Sequence, residues 1–162
     1  MTTNNGGVTD VVIAGLGGQG VIRAADILAE AAFLSGADVK QSEIHGMSQR
    51  GGSVTSDVRY GPEVLSPMIP RGEADFLVVL APSEVEVNRP NLKAGGVLIP
   101  PDAVDESRLQ NKKSLNVALL GALAARLDLP EEHWLAAIRA ALPERLHELN
   151  ERAFRLGKES VR

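Results

Sequence analysis

A glycine-rich hexapeptide at positions 15–20, with the sequence GLGGQG, carries the first recognisable chemistry in this chain. Its G-x-G-x-x-G spacing lies between an apolar run and a stretch of helical periodicity, which is the context of phosphate-binding turns. Glycine tolerates positive φ and lets a ligand approach the backbone, and free amides at a helix N-terminus attract phosphate. A diphosphate is the expected ligand, and the alternative is a tight turn that binds nothing. The residues predicted to bind a cofactor are Gly15, Gly17, Gly18, Gln19 and Gly20.

A nicotinamide dinucleotide would need a second signal, an acidic residue about 20 positions further on that binds the ribose hydroxyls. Glu43 follows Gly20 by 23 positions (43 − 20 = 23) and is a loose match to that requirement. A free-standing NAD(P)-binding protein therefore stays an alternative interpretation of the glycine motif.

The segment after Glu43 is rich in glycine and polar groups and has no regular periodicity, which predicts a loop over residues 44–52. Its hydroxyl, amide and guanidinium groups suit an anion or the carboxylate of another chain. His45 is a candidate for proton transfer, because imidazole titrates near neutral pH. The residues of this predicted substrate or partner loop are His45, Ser48, Gln49, Arg50, Gly51 and Gly52.

Other catalytic arrangements find no support in the sequence. His133 and His147 have no ligand spacing with His45, so we expect no metal site. The sequence contains no cysteine, which excludes a cysteine nucleophile and a cysteine-ligated iron–sulfur cluster within these residues. Beyond the candidate His45, no catalytic residue is therefore assigned, and we expect another chain to carry the electrons.

Alternating strand and helix patterns predict an α/β fold: a three-layer, mostly parallel, Rossmann-like sheet with helices on both faces and C-terminal helices. Residues 1–9 are expected to be a flexible tail, and residues 10–162 a single domain. The predicted strands are 11–14, 38–43, 54–60, 76–80 and 97–99, and the predicted long helices are 19–34, 116–127, 131–142 and 144–156.

The overall charge argues against several classes of partner. With 17 basic and 21 acidic residues the formal net charge is −4, which gives no positive field to attract nucleic acid or an anionic membrane. The sequence has no apolar run long enough to span a bilayer and no leader pattern at its start, so we expect a cytoplasmic protein.

Together with the hexapeptide, the segment HGMSQRGGSV at positions 45–54 resembles the gamma-type subunits of 2-oxoacid:ferredoxin oxidoreductases. It is most similar to the beta subunits of indolepyruvate oxidoreductases. Residues 116–122 (NVALLGA) and 148–154 (ELNERAF) resemble the same family, and the resemblance extends over most of residues 10–157. The stretch from Asp102 to Ser114 looks shorter than its counterpart in the family, so no contact is carried over there.

The resemblance implies an enzyme that oxidatively decarboxylates a 2-oxoacid such as indolepyruvate, with coenzyme A, to an acyl-coenzyme A, carbon dioxide and reduced ferredoxin. It implies that this chain is the non-thiamine subunit, inactive alone, which holds coenzyme A. Because the hexapeptide contains no lysine or arginine, we expect this binding to be weak until a large alpha subunit closes over the ligand. Thiamine diphosphate, magnesium and iron–sulfur clusters would belong to that partner, and ferredoxin would be an indirect one. A homodimer of the isolated chain and a purely structural assembly subunit with an empty glycine loop are further possibilities.

Overall fold

Five strands and five α-helices make up the part of the chain that the structure, a computed structural model, describes: residues 7–45 and 52–161. The predicted strands and long helices are all present, with ends shifted by a few residues. The strands are β1 (Thr9–Leu16), β2 (Asp38–His45), β3 (Ser53–Gly61), β4 (Ala74–Val79) and β5 (Leu92–Ile99). The helices are α1 (Val21–Leu34), α2 (Val85–Asn88), α3 (Leu115–Ala124), α4 (Glu131–Ala141) and α5 (His147–Glu159).

The strands form one sheet in the order β2-β3-β1-β4-β5. β1 is parallel to β4, and β4 is parallel to β5, whereas β3 is antiparallel to both β1 and β2. Four strands therefore point the same way and β3 opposes them, so the predicted α/β class with a mostly parallel sheet is confirmed. The central strand β1 is buried through Val11, Val12, Ile13 and Ala14 because both of its neighbours and both sheet faces cover it.

β3 keeps the alternation that its sequence predicted. Val54, Val58 and Tyr60 face the core that contains α1, whereas Asp57 and Arg59 point to the opposite face. Arg59 donates from Nε to Asp10 Oδ1 at 2.7 Å and from Nη1 to two carbonyl oxygens of residues 66 and 68. On this face, Arg59 therefore links β1, through its ion pair with Asp10, to the loop that contains residues 66 and 68.

The two faces of the sheet are covered unequally. The four long helices α1, α3, α4 and α5 contribute to the main core, whose members also include Val11, Ile13 and Phe76. The second face has only a small apolar cluster around Val12 and Leu77, covered by Ile69 and by Val85 of α2. The third layer is therefore a thin one, because the segments available for it are short and interrupted by proline.

Two boundary predictions were wrong. β2 continues through Ile44 to His45, where a loop was predicted, because pairing with β3 extends to Val54. β5 begins at Leu92 rather than at the predicted residue 97, so Gly95 and Gly96 lie inside it, and the ladder with β4 shifts register there. Gly95 has φ 80°, a value that allows such an irregularity without strain at glycine.

Candidate functional site

The glycine loop connects the carboxyl end of β1 to the first turn of α1. Gly18 and Gly20 have φ 89° and 82°, which glycine adopts without the penalty that other residues incur. Gly20 is the N-cap of this 14-residue helix, no side chain caps its amides, and no acidic residue lies in its first turn. Because the first amides of a helix lack intrahelical acceptors, this end of α1 is chemically suited to an anion.

Gln19 braces the loop from within. Its Oε1 accepts from the amide of Leu16 at 2.7 Å, and its Nε2 donates to the Leu80 carbonyl at 3.4 Å. A Cβ at Gly15 would lie 2.9 Å from that Oε1, so glycine is required there for packing. Gly15 and Gln19 therefore shape the turn, and a direct contact between either residue and a cofactor stays a prediction.

The structure brings the two sequence motifs together. The amide of Gly17 donates to the Gly52 carbonyl at 2.9 Å, and Leu16 is opposite Ser53 in the β1–β3 ladder. His45, at the end of β2, is exposed and lies beside Val54 in the neighbouring strand. The other predicted loop residues, Ser48, Gln49, Arg50 and Gly51, fall outside the described residues.

A cavity of about 630 Å³ opens on one side of the glycine loop. Its walls include Gly17, Gly18 and Gly20 together with apolar residues of α1 and α4, and its polar members include Asp26, Glu30 and His45. Asp26 accepts a hydrogen bond from Gln41 Nε2 at 2.9 Å, and the guanidinium of Arg23 donates to the Ala141 carbonyl. We call this the acidic cavity.

A second cavity, of about 420 Å³, lies on the other side of the same loop. We call it the lysine cavity, because Lys112 and Lys113 line it opposite Gly18, Gln19 and Gly20. The remaining lining residues are Leu80, Leu115 and Asn116. Sequence reasoning missed these lysines, which lie in the stretch 102–114 that looks shorter than its counterpart in the family. The one available signal was a basic pair directly before a helix.

Asn116 joins α3 to the glycine loop. It is buried, its Nδ2 donates to the Gly20 carbonyl at 3.2 Å, and its Oδ1 accepts from the amide of Val117 at 2.9 Å. A Cβ added at Gly20 would lie 2.5 Å from Asn116 Nδ2. Gly20 is therefore required both by its positive φ and by the close approach of this amide.

Other candidate residues lie apart from this arrangement. Glu43 is exposed on β2 and lines neither cavity, so the second signal for a dinucleotide is absent from the described site. His133 hydrogen-bonds Ser35 Oγ at 2.8 Å, and His147 bonds the Leu142 carbonyl at 2.7 Å. Within residues 7–45 and 52–161, no three His, Asp or Glu side chains are grouped as metal ligands. None of the helices described is long and apolar enough to cross a membrane.

Comparison with known proteins places this arrangement in a family. The family described as pyruvate ferredoxin/flavodoxin oxidoreductase matches residues 10–107 and 102–160. Indolepyruvate oxidoreductase subunit IorB of Thermococcus kodakarensis is 33% identical, with 94% of this chain and 96% of the relative covered.

Solved structures agree with that assignment. The keto/oxoacid ferredoxin oxidoreductase gamma subunit of Geobacter sulfurreducens superposes with a TM-score of 0.80 at 27% identity, covering 95% of this chain and 96% of that one. The fold also recurs, with a TM-score of 0.83 at 19% identity, in the 2-oxoglutarate:ferredoxin oxidoreductase of Magnetococcus marinus, where it covers 96% of this chain and 31% of that one. This chain belongs to the pyruvate ferredoxin/flavodoxin oxidoreductase family, alongside its IorB and gamma subunits.

Proposed function

We propose that this chain is the coenzyme A-holding, non-thiamine subunit of a 2-oxoacid:ferredoxin oxidoreductase whose 2-oxoacid is indolepyruvate. In the overall reaction the bond between the carboxyl and oxo carbons breaks and carbon dioxide leaves. The acyl carbon becomes bonded to the coenzyme A sulfur, the thiol proton is released, and two electrons pass to ferredoxin. The large partner subunit would supply thiamine diphosphate, magnesium and iron–sulfur clusters, whose chemistry is decarboxylation and electron transfer.

The observation that carries the proposal is the uncapped N-terminus of α1 behind Gly18 and Gly20, with a cavity on each side. Free helix amides can hold phosphate, and the adenosine diphosphate half of coenzyme A presents one. The loop itself contains neither lysine nor arginine, so the amides of the loop alone should give only a modest affinity for coenzyme A. This chain would then bind and orient coenzyme A while the partner carries out the bond-breaking steps.

The relatives support the choice of reaction and ligand. The IorB relatives in Thermococcus, Pyrococcus and Methanothermobacter are named as indolepyruvate oxidoreductase subunits and are 33–34% identical over nearly the whole chain. The Magnetococcus enzyme that contains this fold is described with coenzyme A and succinyl-coenzyme A bound. The absence of cysteine from the sequence fits a subunit that leaves electron transfer to its partner.

Reconstitution tests the proposal. The purified chain alone should oxidise no 2-oxoacid with a dye acceptor, whereas the chain combined with its large subunit should oxidise indolepyruvate in a coenzyme A-dependent reaction. Without this chain, the large subunit should show no coenzyme A-dependent oxidation of indolepyruvate. Turnover by the chain alone, or coenzyme A-dependent turnover by the large subunit alone, would overturn the proposal.

A further inference from the structure

Lys112 and Lys113 line the lysine cavity together with the glycine loop, although about 92 residues separate Lys112 from Gly20 in sequence (112 − 20 = 92). Both lysines are exposed, and neither takes part in an ion pair within the described part of the chain. The lysine cavity thus brings two cationic residues together with a loop that offers helix amides. An anion between them would receive charge-assisted hydrogen bonds from one side and backbone amides from the other.

Local hydrogen bonds fix the turn that carries the lysines. Asn111 Oδ1 accepts from the amide of Lys113 at 2.9 Å, and Ser114 Oγ donates to the Asn111 carbonyl at 2.6 Å. This turn leads directly into α3, where Asn116 donates to the Gly20 carbonyl. The backbone that holds the lysines is therefore tied to the glycine loop, which limits the entropy lost when a ligand is bound.

The two cavities differ in the sign of their charge. Asp26 and Glu30 line the acidic cavity. Arg23 also lines it, but its guanidinium already donates to the Ala141 carbonyl. The lysine cavity has two cations and no carboxylate among its lining residues. A ligand with several negative charges and an uncharged part would therefore place its charges in the lysine cavity.

We infer that Lys112 and Lys113 complete the glycine loop as the phosphate subsite of this chain, and that the acidic cavity receives an uncharged part of the same ligand. This inference rests on the proposed function and extends it, because it assigns the charge recognition to residues outside the glycine motif. The ligand class is a phosphate ester with at least two negative charges, and the proposed function makes it coenzyme A.

The test compares charge-removing and charge-keeping variants in the reconstituted complex. Replacing both lysines with glutamine (K112Q/K113Q) should raise KM for coenzyme A about 10-fold or more, the order expected for charge-assisted contacts. KM for the 2-oxoacid should change little, and replacing both lysines with arginine (K112R/K113R) should preserve most of the coenzyme A affinity. The control K40Q/R152Q removes the same charge from side chains that line neither cavity, and KM for coenzyme A should stay within 2-fold of the wild-type value.

Ionic strength gives a second readout that a structural role would not change. KM for coenzyme A should rise with added salt in the wild-type complex and rise less in K112Q/K113Q, because fewer charge contacts are left to screen. If K112Q/K113Q failed to assemble, the arginine pair and the salt dependence of the wild type would still decide the question. An unchanged KM in K112Q/K113Q, or a sharp fall in KM on replacing Asp26 with asparagine, would overturn the inference.

A glycine-loop variant separates this inference from the proposed function. If G18A raises KM for coenzyme A and K112Q/K113Q does not, coenzyme A binds at the loop without the lysines and only the inference fails. If neither variant alters KM for coenzyme A, the cofactor is bound elsewhere and the proposed function fails as well.

Discussion

Gly121 of α3 and Gly157 of α5 let these two helices pack backbone against backbone. A Cβ at Gly121 would overlap the Phe154 carbonyl oxygen, and a Cβ at Gly157 would overlap the Ala118 carbonyl oxygen. Every residue of α3 is buried, so the helix has no free side to which it could move. α3, which bonds the glycine loop through Asn116, and its neighbour α5 are therefore held at a spacing that only glycine permits.

Replacing Gly157 with alanine tests that spacing, because helix propensity and close packing predict changes of opposite sign in the free energy of unfolding. Helix propensity alone would stabilise the chain by about 1 kcal/mol, since alanine is the better helix former. The overlap should instead lower the free energy of unfolding by about 3 kcal/mol, the upper range for overpacked sites. Urea unfolding measures the difference, and the exposed Glu159 of the same helix, replaced with alanine, should change it by less than about 0.5 kcal/mol. A stabilised G157A chain would contradict the close packing.

The sequence predicted the sheet well where short apolar runs had only one physical solution. The runs at 11–14 and 76–80 were predicted as buried strands, and the glycine motif was predicted as a turn between strand and helix. The unequal coverage of the two faces was harder to predict, because periodicity shows that a helix has a buried face but not which side of the sheet it occupies.

The candidate site was only half predictable for a similar reason. The glycine loop can be recognised from the spacing of its residues alone. Lys112 and Lys113 lie near it only because of the position of α3, which depends on the tertiary fold. Gln19 has a role that the motif did not predict: its side chain bonds the backbone of Leu16 and Leu80, and its predicted contact with a cofactor stays a prediction. Local patterns locate backbone sites more reliably than they assign partners to side chains.

Substitution of Gly18 by alanine should separate backbone strain from ligand binding. Gly18 and Gly36 have φ 89° and 92°, and a Cβ at either position would meet no atom within 4 Å. Alanine should therefore cost a similar amount of stability at each site, about 1–2 kcal/mol for the left-handed conformation. Of these two glycines only Gly18 lines the cavities beside the loop, so only G18A should raise KM for coenzyme A. Equal KM values in the G18A and G36A complexes would mean that the loop is a turn without a ligand.

Replacing Asn116 with aspartate should weaken both the loop and its ligand. The carboxylate cannot donate to the Gly20 carbonyl, and it adds negative charge to the cavity lined by Lys112 and Lys113. We expect KM for coenzyme A to rise about 10-fold and the free energy of unfolding to fall by about 1–3 kcal/mol.

Asn150 is the matched control for this change, because it is also buried and donates to a backbone carbonyl, that of Leu146, at 2.9 Å. Replacing Asn150 with aspartate should destabilise the chain similarly but leave KM for coenzyme A unchanged. If the two variants affected that KM alike, Asn116 would be a structural residue only.

Burial raises the pKa of Asp57, although the amide of Ile69 donates to its Oδ2 at 2.9 Å. A carboxyl group with a raised folded pKa favours folding in its protonated form, so its contribution is lost as pH rises from about 3.8 through the folded pKa. Asparagine can accept the same hydrogen bond without carrying a charge. The variant D57N should therefore become more stable relative to the wild type as pH rises from 4 to 7.

Asp105 is a control for Asp57, because its pKa is shifted in the opposite direction. Hydrogen bonds from the hydroxyl and amide of Ser107 lower the pKa of its carboxyl group. Its contribution to folding is present above pH 3.8 and is lost as pH falls through the depressed folded pKa. Urea unfolding of D57N, D105N and the wild type between pH 3 and pH 7 should show D57N gaining stability relative to the wild type above pH 4. The disadvantage of D105N should shrink below pH 3.8. Parallel pH curves for D57N and the wild type would show that the Asp57 carboxylate is not disfavoured by its burial beneath Ile69.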